Sequence, residues 1–502
     1  MKLTGFLFAA ALLGSCTQPA AEENYTRHVD PKIGTGGHGH VFVGANVPFG
    51  LVQVGPTSIP QTWDWCSGYH ASDSTVIGFS HTHLSGTGIG DLFDVTVMPV
   101  TGNVTYARGE EADPASGLWS YADRTQEIAR PGYYSVPLTR YGIRAELTAT
   151  ARVGLHRYTF PASEKAAVVF DLENGGCWDK ATETHLAKEG DRTVTGWRHS
   201  TGWAKDQRVY FAAEFSKPFE KFETIGDNYA RASFRTTDGE QVSLKVALSP
   251  VSIEGAKANL AAELPGWDFD ATAAAADKAW NDELSKVKIE TEDETSKRIF
   301  YTALYHTMVA PSLFCDVNGD YYGSDHAIHR NADFTNYTTF SLWDTYRAAM
   351  PLMTVLHPEK MADIVQTMLH IADEQGRLPV WHLWGNETDC MVGNPGIVAV
   401  ADAIVKGIGG FDREKAFEAI RKTAMNPDRG NGLRMEYGYI PCEMFNEAVA
   451  YDMEYALADG AAARAAETLG KAEDAKYFEE RSHSYRNYFD PATRFMRGRD
   501  SR

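Results

Sequence analysis

The sequence lacks the features of a protein that binds nucleic acid or spans a membrane. Its 48 Lys and Arg residues are fewer than its 67 Asp and Glu residues, so the formal net charge is -19 and the isoelectric point is near 5.3. An acidic chain without basic clusters is poorly suited to phosphate backbones and anionic lipid surfaces. Beyond the first residues, no apolar run is long enough to cross a bilayer. We therefore predict no nucleic-acid partner and no membrane-spanning segment.

Cysteine is also scarce, which excludes a disulfide scaffold and a zinc finger. The chain has six cysteines, and no two of them form a C-x-x-C pair. Cys16 belongs to the leader discussed next. We predict that the others are mostly buried free thiols; they are Cys66, Cys177, Cys315, Cys390 and Cys442.

The first residues, "MKLTGFLFAAALLGSC", predict export. Their apolar stretch is too short to span a bilayer and fits the core of a signal peptide. Leu13, Gly14 and Ser15 before Cys16 resemble a bacterial lipoprotein cleavage site. Residues 1–24 are then a signal peptide and tether, Cys16 is the lipidated N-terminus, and the protein is periplasmic or anchored to the outer membrane. The alternative is an ordinary secretory signal with a chance cysteine.

The composition is that of a globular protein whose first half is rich in β-strands. With 502 residues, 43% hydrophobic and 12% aromatic, the chain can bury two or three cores. The runs at 166–174, 208–215 and 241–250 are short, β-rich and separated by charged or Gly-containing breaks. Residues 25–255 are therefore predicted to form a β-sandwich.

The hydrophobic period changes at about residue 256. Residues 256–290 are Ala-rich and predict a helical linker, and helical patterns follow through residues 291–502, as at 395–410, 413–424, 446–469 and 472–489. Successive helices with polar, aromatic loops predict a helical toroid with a central pocket. We count roughly eight helical segments, whereas an (α/α)6 toroid needs twelve. A half toroid would leave apolar faces uncovered, so we expect the chain to be a fragment with an incomplete toroid.

Histidines and tryptophans are concentrated between residues 38 and 83. Two H-x-H pairs in this region would place imidazoles on one face of a strand, which suits a metal site. The alternative, which we favour, is a polar loop that packs against a neighbouring domain or lines a ligand pocket. The glycines at 86, 88 and 90 lead into a strand-like segment, so they do not form a phosphate-binding loop. The cluster contains His38, His40, Trp63, Trp65, His70, His81 and His83.

Two further segments carry carboxylates among aromatic residues. In "FSLWDTYR", Asp344 and Arg347 are three residues apart and would share a helix face, where the cation favours an ionised carboxylate. That carboxylate would accept bonds from sugar hydroxyls or a cation, or would form a structural ion pair at a helix start. The loop "LPVWHLWGNETDCMVGN" offers flat aromatic faces and acceptors for a sugar. Its candidates are Trp381, His382, Trp384, Asn386, Glu387 and Asp389.

Long segments of the chain resemble glycoside hydrolase family 92. They include "VDPKIGTGGHGHVFVGANVPFGLVQVGP", "WDWCSGYHASDSTVIGFSHTHLSGTGIGD", "PGYYSVPLTRYGIRAELTATARVGLHRYTF", "SLWDTYRAAMPL" and "YFEERSHSYRNYFDPATRFMRG". The resemblance extends over residues 27–502. It implies a β-sandwich joined by helices to an (α/α)6 catalytic toroid, with the active site between them and a sandwich loop, without zinc, reaching into the pocket.

The resemblance implies an exo-acting, calcium-dependent α-mannosidase that inverts the anomeric centre. Its substrates would be mannan or N-glycans, with α-1,2 linkages expected. Inversion uses a general acid and a base that are roughly 6.5–9.5 Å apart. Calcium would hold two mannose hydroxyl oxygens and help to distort the ring.

The chain departs from the family in the residues that carry the chemistry. The family's acid lies in a "TEGNAWQY"-like motif and its base in a "GNDDCGQMS"-like motif, and neither motif occurs here. We therefore expect both catalytic carboxylates and most calcium ligands to lie beyond residue 502, and the chain alone to be inactive. Asn394-Pro395 replaces an aromatic–His pair, which leaves the linkage specificity open.

The resemblance places substrate-binding residues at matching positions. Asp344 would hold mannose hydroxyls, Trp63 and Trp65 would wall the pocket, and Arg347 would orient Asp344. The position of the third segment adds His382, Glu387 and Asp389. The alternatives are a non-catalytic surface lipoprotein that binds carbohydrate and a metallohydrolase built on the histidine cluster.

Overall fold

The computed structural model describes residues 23–502. Cys16 and the predicted leader lie outside the described residues. The expected fold class is confirmed, because a β-rich part is followed by a helical part. None of the helices in residues 23–502 combines the length and apolarity needed to cross a membrane.

Two antiparallel sheets form the first part. One has the strand order β1-β3-β4-β10-β15-β14 and the other β11-β12-β13-β16-β9-β8-β7-β6, while β2 pairs with β5. The strands are β1 (Gly55–Thr57), β2 (Thr75–Val76), β3 (Gly78–Ser80), β4 (Thr96–Thr101), β5 (Ser120–Tyr121), β6 (Ile128–Arg130), β7 (Tyr133–Leu138), β8 (Ile143–Ala149), β9 (Val153–Phe160), β10 (Ser163–Asp171), β11 (Lys180–Glu189), β12 (Thr193–Thr201), β13 (Gln207–Phe215), β14 (Lys221–Ile225), β15 (Tyr229–Thr236) and β16 (Glu240–Ser249).

The sheets face each other across an aromatic core. Phe170 of β10 stacks on Phe211 of β13 with ring centroids 6.0 Å apart, and Phe160 of β9 meets Phe234 of β15 at 5.5 Å. In β8 and β13, buried and half-buried residues alternate at the strand start, as the two-residue period requires. Burying each such phenylalanine stabilises the fold by about 1.5–3 kcal/mol.

Helices α1 (Ile253–Glu263) and α2 (Phe269–Leu284) follow the last sandwich strand. Each begins at a side-chain cap, since Ser252 accepts from the Gly255 N–H and Asp268 from the Ala271 N–H. Both pack against sandwich strands, and Phe269 shares a small core with β9 and β16. The segment predicted as a linker is therefore helical but lies on the sheet surface.

The second part combines helices with very short strands. The helices are α3 (Glu294–His306), α4 (Leu342–Thr345), α5 (Ala349–Leu356), α6 (Pro358–Gln375), α7 (Pro395–Val405), α8 (Arg413–Ala424), α9 (Asn431–Tyr437), α10 (Ala448–Thr468) and α11 (Ala472–Arg481). The strands are β17 (Ser312–Leu313), β18 (Tyr321–Tyr322), β19 (Ile328–His329), β20 (Tyr337–Thr338), β21 (Phe340–Ser341), β22 (Trp381–Leu383), β23 (Asn386–Glu387), β24 (Phe489–Asp490) and β25 (Phe495–Met496).

Strands β17, β18 and β22 pack against the sandwich, whereas Tyr337 of β20 and Phe340 of β21 are buried in the core of the helices. Phe314, Tyr322 and Trp384 belong to the same buried core as the sandwich strands. A separate core lies among the helices, chiefly between α6, α7, α8 and α10. The two parts of the chain consequently share one continuous core at their junction.

The cysteines in the described residues are free thiols, as predicted. Their burial differs from the prediction, because only Cys66 and Cys315 are buried. Cys177 and Cys390 are half-buried and Cys442 is exposed.

Candidate functional site

A small sheet joins the segment of Asp344 to the loop of Trp381. In this sheet, β21 pairs with β22 through Phe340–His382 and Ser341–Trp381, and β22 pairs with β23. Helix α4, which carries Asp344, begins directly after β21. The structure therefore brings together two sequence segments that were predicted separately to bind a sugar.

Asp344 is exposed at the start of this helical turn, and its carboxylate accepts a hydrogen bond from the Ser341 hydroxyl. The predicted pairing of Arg347 with Asp344 is wrong. Arg347 donates to the Trp343 carbonyl at 2.9 Å, and its guanidinium lies 3.6 Å from a Glu454 carboxylate oxygen. Helix α4 ends at Thr345, so it is too short to hold the predicted pair, and α10 supplies the carboxylate instead.

Glu454 is a site residue that the sequence patterns did not reveal. Its carboxylate accepts from the Tyr346 hydroxyl at 2.9 Å and pairs with Arg347. Burial raises the pKa of Tyr346 to about 12, and the bond to Glu454 adds to that rise. Glu454 lies on a helix far along the chain, so only tertiary structure places it beside the WDT segment.

Glu387 holds the Trp381 loop in shape. Its carboxylate accepts backbone N–H groups of Val380 at 2.8 Å, Trp381 at 2.9 Å and Asp389 at 3.0 Å. Burial acts to raise its pKa, but the backbone donors and Arg377 outweigh burial, so the pKa is lowered. Glu387 is thus an ionised positioning residue within the loop.

We expect Glu387→Gln to loosen this loop and to lower the free energy of unfolding by about 1–3 kcal/mol, because the amide keeps only one acceptor oxygen and its NH2 group faces buried N–H donors. Urea unfolding measures the loss, and hydrogen exchange at the Val380 and Trp381 amides locates it. Glu418→Gln, which changes an exposed carboxylate of α8, is the matched control and should stay within about 0.5 kcal/mol. Equal stability and exchange for both variants would contradict this role.

Asp389 and His382 occupy contrasting environments. Asp389 is exposed, has a φ of 53°, and is ion-paired with Arg377 and with Arg429 at 3.5 Å. His382 is 3% exposed and its Nε2 lies 2.9 Å from the Ser324 hydroxyl. Burial lowers the pKa of His382 to about 4, so the imidazole is neutral. Its Nδ1 has no hydrogen-bond partner among the residues that the structure describes.

The sandwich tryptophans differ in exposure. Trp63 is 49% exposed and donates to the Gly88 carbonyl at 2.9 Å. A side-chain carbon at Gly88 would fall 2.4 Å from the Trp63 ring, so glycine is needed for this contact. Trp65 is half-buried, donates to Asp73 and stacks on His70. Trp63 therefore offers the more open aromatic face.

The histidine cluster does not form a metal site. His81 and His83 are buried, and each bonds a backbone carbonyl through Nδ1. Burial lowers their pKa values to about 3 and about 4. His38 and His40 both face Asp64, at 2.5 and 3.7 Å. Among residues 23–502, however, no three metal-ligating side chains of this cluster converge, so the structure does not support the metallohydrolase alternative.

A loop of the sandwich docks directly onto the Trp381 loop. The Trp203 ring meets Trp381 edge-on at 4.8 Å, and Asn386 exchanges two hydrogen bonds with the Asp206 backbone at 2.9 and 3.0 Å. Asp91 fixes Trp203 by accepting its N–H at 3.0 Å. Within residues 23–502, no hydrogen bond, ion pair or ring contact joins Trp63 or Trp65 to Asp344.

A cleft of about 710 Å³ opens beside the Trp63 loop. Its lining combines the exposed Trp178 with carboxylates, amides and hydroxyls, including Glu173, Asn174 and Glu183. Trp178 packs close to Gly90, two residues from the Gly88 contact of Trp63. The composition suits a polyhydroxylated ligand.

Two family models match the chain in succession. The glycosyl hydrolase family 92 N-terminal domain matches residues 28–249, and the glycosyl hydrolase family 92 catalytic domain matches residues 255–502. This chain belongs to glycoside hydrolase family 92. The resemblance of the sequence motifs is thereby confirmed.

Solved structures of family 92 superpose closely on this chain. A family 92 α-mannosidase from Bacteroides thetaiotaomicron, solved in complex with mannoimidazole, is 39% identical with a TM-score of 0.92, covering 95% of this chain and 66% of that chain. A family 92 inverting mannosidase from the same organism is 28% identical with a TM-score of 0.86, covering 96% of this chain and 67% of that chain.

A curated relative lies outside bacteria. It is an uncharacterised secreted glycosidase of Arthroderma benhamiae, 26% identical over 99% of this chain and 66% of that protein. The family 92 chain described here thus spans about two thirds of the length of these relatives.

Membership of family 92 implies a calcium ion, which needs suitable ligand atoms in the protein. Calcium prefers oxygen ligands. In the described part of the chain, one group of three metal-ligating side chains converges, formed by Asp325, His329 and Glu374. Its imidazole does not fit a calcium site, so no step of the chemistry is assigned to calcium bound by these residues.

Proposed function

We propose that this protein is an exported α-mannosidase that removes terminal mannose from mannan or N-glycans, with α-1,2 linkages preferred. One observation carries the proposal: the family 92 α-mannosidase solved with mannoimidazole matches 95% of this chain at a TM-score of 0.92. The exposed Asp344 carboxylate beside an aromatic-rich loop supports a sugar site at the same junction.

Asp344 and Trp63 would bind the sugar by complementary means. An exposed carboxylate accepts hydroxyl protons, whereas an exposed indole offers a flat apolar face to a pyranose ring. Trp65, Arg347 and Asp389 would lie at the edge of this site. The buried side chains of His382 and Glu387 would hold the Trp381 loop in position.

Glu387 and Asp389, the carboxylates of the Trp381 loop, are poorly suited to donate a proton. The pKa of Glu387 is lowered, and Asp389 is paired with two arginines. Inverting hydrolysis needs a protonated acid on the leaving oxygen and a base that activates water on the opposite face. We infer that carboxylates outside this chain supply both functions, and that the 502-residue chain alone is inactive.

Calcium and export complete the proposal. The calcium implied by the family would be held by oxygen ligands other than the group at Asp325. Lipidation at Cys16 would anchor the protein to a periplasmic or outer-membrane face. Export is supported by the leader and by the secreted description of the Arthroderma relative.

We expect Asp344→Asn, introduced into the protein encoded by the whole reading frame, to lower kcat/KM on α-1,2-mannobiose by about 10- to 100-fold, because a charged acceptor of sugar hydroxyls is lost. Mannose release in the presence of calcium is the measurement, and proton NMR identifies the first-formed anomer, expected to be β. Asp238→Asn, at an exposed turn of the sandwich, is the matched control and should leave the rate unchanged.

Three outcomes would contradict parts of the proposal. Clear mannose release by the 502-residue chain alone would refute the inference that its catalytic carboxylates lie elsewhere. Mannan binding without hydrolysis by the whole-frame protein would favour a non-catalytic surface lipoprotein that binds carbohydrate. Full activity in excess EDTA would remove the calcium requirement.

A further inference from the structure

Three metal-ligating side chains converge where the β18–β19 hairpin meets the end of α6. Their ligand atoms, from Asp325, His329 and Glu374, all lie within 4.8 Å of one another. His329 Nε2 is 3.1 Å from an Asp325 oxygen and 3.4 Å from a Glu374 oxygen. Two ligands bound at zinc distances in a tetrahedral site are about 3.4 Å apart, so these separations fit one ion.

The ligands are held in place by neighbouring groups. The Tyr321 hydroxyl donates to Glu374 at 2.9 Å, and the Ser324 N–H donates to its second oxygen at 2.7 Å. The Tyr321 ring stacks on His329 with centroids 4.9 Å apart and planes inclined by 10°. Such outer contacts fix the orientation of metal ligands before an ion binds.

Glu374 is a buried carboxylate without a cationic partner. Its side chain is 6% exposed, and no Lys or Arg within residues 23–502 forms an ion pair with it or with Asp325. A buried carboxylate without a countercharge is costly. A divalent ion would supply the missing charge.

Gly323 leaves space at the centre of the group. A side-chain carbon built at Gly323 would lie 2.7 Å from Asp325 Oδ1 and 2.7 Å from His329 Nε2. Any larger residue would therefore meet the atoms that face the ion.

We propose that Asp325, His329 and Glu374 bind a divalent transition-metal ion, with Zn²⁺ the preferred ion. One imidazole and two carboxylates suit zinc, with water completing the tetrahedron, whereas calcium disfavours the nitrogen ligand. A bound ion would also make the Trp381 loop more rigid, because Ser324 bonds both Glu374 and the buried His382.

Calorimetric titration of the metal-free 502-residue chain with Zn²⁺ tests the proposal. All proteins carry Cys442→Ser, since that exposed thiol would bind zinc on its own. We expect one equivalent to bind, and His329→Gln or Asp325→Asn to weaken binding by at least about tenfold. Gly323→Ala should weaken it by filling the central space. Circular dichroism checks that each variant is folded.

Matched controls use side chains of the same chemistry nearby. His326→Gln lies in the same hairpin and Asp333→Asn is an exposed neighbour, and both should keep full affinity. With Co²⁺ as the probe, a visible ligand-field band should appear and be lost in His329→Gln. Zinc binding that His329→Gln leaves unchanged, the absence of saturable binding, or tighter binding of Ca²⁺ would each overturn the proposal. The readout is binding, so it is independent of mannosidase activity.

Discussion

Replacing Arg198 with Met is expected to lower the free energy of unfolding by about 3–5 kcal/mol. Arg198 is fully buried, donates to Asp94 at 2.7 Å and to Asp179, and reaches the Leu172 carbonyl at 2.9 Å. Methionine fills similar space but removes the charge, so two buried carboxylates lose their shared partner. Equilibrium urea unfolding followed by tryptophan fluorescence measures the change.

Two further variants separate charge from packing. Arg235→Met removes an arginine that is 63% exposed and paired with Glu220 at 3.0 Å, and it should cost no more than about 1 kcal/mol. The triple variant R198M/D94N/D179N removes the buried charges as well and should recover part of the loss. If R198M alone were as mild as the surface control, the buried network would not be the source of stability.

A buried chain of hydrogen bonds fixes the protonation of two histidines. His81 Nδ1 lies 2.6 Å from the Val95 carbonyl, which only accepts, so this nitrogen carries the proton. His81 Nε2 then accepts from His156 Nε2 at 2.9 Å, and His156 Nδ1 accepts from the Tyr158 hydroxyl at 2.7 Å. Each ring is neutral, and a further proton on His81 Nε2 would face the N–H of His156.

We expect these histidines to make the fold sensitive to acid. Burial lowers the pKa of His81 to about 3 and that of His156 well below its usual range, whereas unfolded histidine titrates near 6.5. Between these values the unfolded state binds more protons, so stability falls as pH falls, by up to about 1.4 kcal/mol per pH unit for each histidine. Asp91 opposes this, because burial raises its pKa to about 6 and its folded form gains protons there.

A difference between variants isolates the histidine contribution. Between pH 6.5 and 4, we expect the free energy of unfolding to depend less steeply on pH in the double variant H81Q/H156Q than in the unsubstituted protein. The slope should be smaller by about 2 kcal/mol or more per pH unit, since glutamine cannot titrate. Urea unfolding at several pH values provides the slopes. His185→Gln, at an exposed position on β11, should leave the slope unchanged. Identical slopes for the double variant and the unsubstituted protein would contradict neutral burial.

Helices with a clear hydrophobic periodicity could be predicted from the sequence. The helical pattern at 413–424 coincides with α8, which Asp412 caps by accepting two backbone N–H groups. The pattern at 446–469 predicted α10 to within two residues at each end. The pattern at 472–489 predicted α11, but that helix ends earlier, at Arg481. Strands β17–β21 were not predicted, because two-residue strands have no period and owe their shape to the two cores on which they pack.

Residue types at the site were easier to predict than their contacts. The carboxylates and aromatics of the WDT segment and the Trp381 loop do lie together, joined by paired strands. The partner of Arg347 was mistaken, because Glu454 is distant in sequence and close only in space. The histidine pairs were compatible with a metal site as well as with the favoured polar loop, and for His81 and His83 the bonds to backbone carbonyls distinguish the two.

The core shared across the junction has a consequence for how such chains evolve. Phe314, Trp381 and Trp384 are buried in the same core as the sandwich strands, although they follow the boundary between the two family segments. A recombination event at that boundary would expose these aromatic side chains to water on one product and leave a matching hollow on the other. We therefore expect the two segments to be inherited together, as one evolutionary unit, and not shuffled among other glycosidases.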